Sequence, residues 1–65
     1  MTYSQNQMII MKTTDYIAQH YQDSIPLSKL LQIANMPKSY YLRLFRQYIG
    51  TTPHNYLLSL HITKE

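Results

Sequence analysis

The stretch Leu27–Ile49, LSKLLQIANMPKSYYLRLFRQYI, decides how this chain folds. Its first part places Leu27, Leu30, Leu31 and Ala34 at spacings of three and four residues, the helical period, so they form one apolar stripe. Asn35 then interrupts the stripe with a side chain that tolerates left-handed backbone, the conformation wanted at a helix end. Pro37 suits a first helical position, and after it Tyr41, Leu44, Phe45 and Tyr48 recur at i, i+3, i+4 and i+7. The pattern predicts two short helices, over 27–35 and 37–49, joined by a turn of about three residues, which is the sequence form of a helix-turn-helix. Such a unit wants a small residue in its first helix, a left-handed-tolerant residue in the turn, a hydrophobe just after it and two more down the second helix. Leu31, Asn35, Met36, Tyr41 and Leu44 stand at those places, with Leu31 larger than the alanine that lets the helices cross most closely.

Working outward, Gly50 is the only glycine in the chain and follows Ile49, where a left-handed C-terminal cap belongs. Thr52 and Pro53 are an N-cap and a first-turn residue in sequence, so a further helix is predicted over 53–64 with Tyr56, Leu57 and Leu60 on its apolar side. On the other flank, Ile9, Tyr16, Ile17 and Tyr21, with Thr13 between them, predict a helix over 8–22. Asp23, Ser24 and Pro26 separate it from the next. Residues 1–7, MTYSQNQ, are expected to be a flexible lead-in. No β-type alternation occurs. The expected fold is all-α, a small three- to four-helix helix-turn-helix domain over residues 8–65.

Composition excludes several classes. At 65 residues the chain supports one small core. It has no cysteine, which removes disulfides, thiolate nucleophiles and the common zinc-finger ligand sets. Hydrophobic residues make up 45% and charged ones 14%, a balance that favours a folded domain over a disordered tail. The longest apolar run, Met8 to Met11, falls far short of the ~20 residues of a membrane span. No membrane association is expected, and a cytoplasmic location is. His54 and His61 lie two turns apart on one helix, too far for one metal ion, and no Ser, His and acid set is arranged for nucleophilic catalysis. The expectation is no enzyme activity, no catalytic residue, no metal and no cofactor.

Charge points to a partner. Net charge is +3, yet residues 27–64 hold Lys29, Lys38, Arg43, Arg46 and Lys64 with no acid at all. An acid-free basic segment favours a polyanion, because phosphate neutralisation with counterion release supplies most non-specific nucleic-acid affinity. With Tyr41, Leu44, Phe45 and Tyr48 inward, the outer face of helix 37–49 carries Lys38, Ser39, Leu42, Arg43, Arg46 and Gln47. The N-terminal part of such a helix reads base edges, so Ser39, Leu42 and Arg43 are the candidate base-reading residues of a duplex-DNA site. Arg43 is suited to guanine O6 and N7, and Leu42 to a thymine methyl. Lys29, Lys38, Tyr40 and Arg46 are the candidate phosphate contacts.

Several motifs coincide with one family. Tyr16–Ile17 with His20–Tyr21, the L-x-x-L of Leu27 and Leu30, Ala34, Ser39–Tyr40 followed by Arg43–Leu44–Phe45, and Gly50–Thr51–Thr52–Pro53 followed by Tyr56–Leu57 stand in register. On these residues the stretch from Tyr16 to Ile62 resembles the first helix-turn-helix of the DNA-binding region of AraC/XylS-type transcription regulators. The resemblance implies a homeodomain-like half module that acts in transcription regulation. In that family two such motifs are joined by a long helix, and each recognition helix enters a major-groove segment. For this chain the expectation is one motif, truncated before the second, and no small-molecule effector domain. It departs from the family in carrying His61 where arginine is usual, Pro26 and Pro37 in place of capping Ser or Thr, and Leu42 at a generally polar base-facing position. The alternative reading is a protein-interaction module or anti-activator that pairs with a full-length AraC-like regulator through helix 53–64. Under it Tyr56, Leu57 and Leu60 form the partner interface, which also serves a homodimer.

Overall fold

The chain's computed structural model describes residues 3–63, and among them four helices run in order: α1 Gln5–His20, α2 Leu27–Ala34, α3 Lys38–Ile49 and α4 Pro53–Thr63. The all-α expectation holds, and each boundary has a local chemical cause. Ser4 caps α1, its Oγ accepting the Gln7 backbone N–H at 3.1 Å. This corrects the expectation of a flexible stretch over 1–7, since the helix begins at Gln5. The physical reason is that a capped start needs no apolar residues of its own, and two side chains tie this turn to α3. Asn6 Nδ2 donates to the Tyr40 hydroxyl at 3.1 Å, and Ser4 Oγ lies 3.4 Å from the Tyr48 hydroxyl. Met1 and Thr2, the rest of that expected lead-in, lie outside the described residues, as do Lys64 and Glu65 at the other end.

α1 stops two residues earlier than its periodicity predicts, because the Asp23 N–H bonds back three residues to the His20 carbonyl at 2.9 Å. Pro26 and Pro37 are N-caps rather than first helical residues, with ψ of 147° and 152° and no side-chain capping bond. Asn35 takes the left-handed conformation expected of it, φ 56° and ψ 50°, and its N–H reaches the Leu31 carbonyl at 2.7 Å. Gly50 does the same for α3, at φ 95° with its N–H on the Arg46 carbonyl at 2.9 Å. An added Cβ there would meet nothing within 4 Å, so the glycine serves backbone conformation alone. Thr52 caps α4, its Oγ1 accepting the Asn55 N–H at 3.2 Å.

Burial of the stripes brings these helices together. Ile10, Thr13 and Ile17 of α1, Leu30 and Ala34 of α2, and Tyr41, Leu44 and Phe45 of α3 are buried. α1 packs against each of the other three helices, so it is the spine of the fold. The core register on α1 is one residue away from the sequence expectation at its start: Ile10 is fully buried and Ile9 flanks it, since an unbroken Met8–Met11 run offers apolar side chains in every direction. Tyr41 and Phe45 stack with centroids 5.8 Å apart, and Phe45 meets Tyr56 of α4 edge-on at 5.9 Å. The Cα radius of gyration is 11.4 Å, close to the ~11 Å of a compact chain this long.

Candidate nucleic-acid interface

α3 follows the Asn35 turn and is held from behind by Tyr41, Leu44 and Phe45, which are buried against the core. At about 100° per residue, positions 39, 43 and 46 fall on the side opposite those three. Ser39, Arg43 and Arg46 are exposed there, with Gln47 and Tyr40 at one margin and Lys38 in the first turn. The structure thus brings two arginines and a serine into one stripe on the outward side of a helix whose inward side is anchored. No Asp or Glu occurs in α2, α3 or α4. Of the acids before α2, Asp23 lies 3.6 Å from His20 Nδ1.

Three expected site residues stand differently. Leu42 is half-buried and packs against the core cluster, where the sequence reading placed it on the outer face beside Arg43. The cause is its angular position, between the buried side and the exposed stripe, together with the approach of Thr52 and Pro53 from the start of α4. Lys29 is exposed but belongs to the α1–α2 side of the domain, its Nζ 5.7 Å above the Tyr16 ring, which itself stacks on His20 at 4.3 Å. Tyr40 turns toward the start of α1, where it accepts the Asn6 bond. Tyr48, expected inward, is 38% exposed, with its hydroxyl 3.4 Å from Ser4 Oγ at the start of α1.

On α4 a core side and an exposed side separate. Tyr56, Leu57 and Leu60, expected as a partner interface, are half-buried and pack against the domain's own core. Leu58 and Ile62, on the other side of the same helix, are exposed at 46% and 77%. Periodicity missed them because α4 is apolar on both sides, and the first stripe found hides the second. His61 packs against Tyr21 across the gap from α1, centroids 5.5 Å apart. No group of three His, Asp or Glu gathers at one place among the described residues.

A basic, acid-free helix presented this way fits what one comparison finds. The chain resembles a transcription regulator. It is 39% identical over 44 residues to the probable transcriptional regulator LumQ of Photobacterium leiognathi. The match takes in 68% of this chain and 18% of the relative, so the chain spans less than a fifth of the length of the protein it resembles. No family model matches the chain. No solved structure matches it.

Proposed function

We propose that this chain binds duplex DNA, with α3 in the major groove, and acts in transcription regulation as an AraC/XylS-type half module. The observation that carries the reading is the Ser39, Arg43 and Arg46 stripe, exposed on the helix that follows a left-handed turn and free of acidic neighbours on α2–α4. Arg43 grips guanine O6 and N7 with both arms of its guanidinium, and Ser39 reaches a neighbouring base edge. Leu42, at the margin of the stripe, offers its apolar edge to a thymine methyl. Lys38 and Arg46, with the Tyr40 hydroxyl and Lys29, hold phosphates and set the register of the helix. The protein works in the cytoplasm, where the DNA is, without catalysis or cofactor, and two copies on one duplex raise the affinity of a single motif.

Fluorescence anisotropy of a labelled duplex tests this at about 50 and 200 mM salt. Three cations on phosphates give a slope near −2.7, so affinity falls about 40-fold between the two concentrations. A folded chain that gives no saturable binding at either salt refutes the reading.

The exposed Leu58 and Ile62 favour a second reading, in which α4 pairs with another regulator of the same type. Ile62→Asp then abolishes function and leaves both folding and the monomer's DNA affinity intact. Leu60→Asp unfolds the domain under either reading, because Leu60 packs on the core. Full function in Ile62→Asp removes the second reading.

A further inference from the structure

A half-open groove of about 360 Å³ lies between α1, the loop before α2, the start of α2, α3 and the start of α4. Its walls are apolar, built chiefly by Ile25, Leu27, Leu42 and Leu57, while Thr52 and His54 supply the polar groups at its α4 end. No acidic side chain lines it. The volume lies within the range of small-molecule sites, and so does the make-up, mostly hydrophobic with a few polar groups at one side.

The two ends of the groove specify different parts of an occupant. The aliphatic walls take an apolar body of ring or branched-chain size. At the polar end the His54 imidazole is exposed and able to donate, and the first turn of α4 adds the positive end of its helix dipole. With no carboxylate in the lining to repel it, an anion is the complementary head group. We infer that this groove is a binding site for a small apolar carboxylate, its body between Leu27, Leu42 and Leu57 and its carboxylate at His54. The site shares Leu42 with the proposed DNA face, but Ser39, Arg43 and Arg46 form no part of it.

The test uses the full chain, 2-naphthoate as the carboxylate and 2-naphthylmethanol as its neutral counterpart, followed by the methyl NMR signals of isoleucine and leucine. Naphthoate gives saturable shifts at Ile25, Leu27, Leu42 and Leu57, and binds more tightly than the alcohol. His54→Ala weakens naphthoate about threefold, the scale of one exposed hydrogen bond to the carboxylate, and weakens the alcohol less. Ile25→Trp fills the groove and abolishes binding of both, with the helical circular dichroism unaltered. Shifts that do not saturate, that centre on Ile9 or Ile62, or that are equal for naphthoate and the alcohol overturn the inference. Should Ile25→Trp fail to fold, the exposed His54→Ala arm decides it alone.

Discussion

The Tyr41 hydroxyl is an energetic weak point of the core. Tyr41 is fully buried, and its hydroxyl has no hydrogen-bond partner. Thr13, the one buried polar neighbour, donates its proton to the Ile10 carbonyl at 2.8 Å. Burial pushes the Tyr41 phenol above its ordinary value of 10.0, and the Thr13 hydroxyl, beside the phenol but outside hydrogen-bond geometry, only partly offsets that. A buried hydroxyl left unpaired costs about 1–3 kcal/mol. Tyr41→Phe removes that cost and keeps the ring that stacks on Phe45 at 5.8 Å. The expected effect at neutral pH is a stabilisation of about 1 kcal/mol, which raises Tm by about 4–8 °C in a domain this small. Alkali supplies an independent check. The folded-state value is raised, so the unfolded chain loses its phenol proton first as pH climbs past 10.0, and the wild-type protein then loses stability that it holds in full below that pH. The phenylalanine variant lacks that loss, and the other tyrosines cancel in the comparison, so the gap between the two proteins widens above pH 10. Thermal melts followed by circular dichroism, at neutral pH and at about pH 10.5, measure both effects. A variant that melts at or below the wild-type temperature at neutral pH shows that the hydroxyl is bonded and refutes the reasoning. Tyr41→Ala is the contrast: a cavity cost of about 3–5 kcal/mol is comparable to the whole stability of such a domain and unfolds it.

The remaining predictions concern the stripe and the caps. Arg43→Ala weakens binding to the preferred duplex by about 1–3 kcal/mol and relaxes sequence preference, whereas Arg46→Ala weakens all duplexes alike and lowers the salt slope by about one; anisotropy titrations separate them, and unchanged affinity in both variants sinks the DNA reading. Gly50→Ala destabilises by about 1 kcal/mol in urea melts from left-handed strain alone, since a Cβ there has open space, and Gly50→Asn recovers part of the loss. An alanine variant as stable as the wild type shows that the turn relaxes out of the left-handed region. Asn35→Gly is neutral or slightly stabilising by the same assay, because φ 56° suits glycine at least as well.

What could be read in the sequence was whatever depends on local backbone chemistry. Asn35, Gly50 and Thr52 each solve a problem within four residues of themselves, a left-handed cap or an unpaired N–H, and each stands where the sequence places it. The start of α1 was hidden because its signal is polar. Ser4 and Asn6 contribute by bonding to Gln7, Tyr40 and Tyr48, two of them more than thirty residues away, and no window of hydrophobic periodicity contains such information. The face of α4 was hidden for the opposite reason, an excess of apolar residues, which lets two stripes fit one helix.

The candidate site divides along the same line. Charge is additive and needs no fold to be seen, so the acid-free basic half and the pairing of Arg43 with Arg46 are plain from residue order. The standing of Leu42 is not, because a residue at the margin of a helical stripe is assigned to core or solvent by whatever packs beside it. Here Thr52 and Pro53 arrive from α4 and draw Leu42 into a groove wall, leaving only its edge beside Arg43. If α3 reads bases as proposed, the polar contacts fall to Ser39 and Arg43. Two side chains specify too little sequence for a unique genomic site, since each base pair read is worth about 1–3 kcal/mol against a genome of competing non-specific sites. On the proposed reading selectivity comes from pairing the motif with a second one on the same duplex, and the exposed Leu58 and Ile62 of α4, on the side of that helix away from the core, are the surface such a pairing would use.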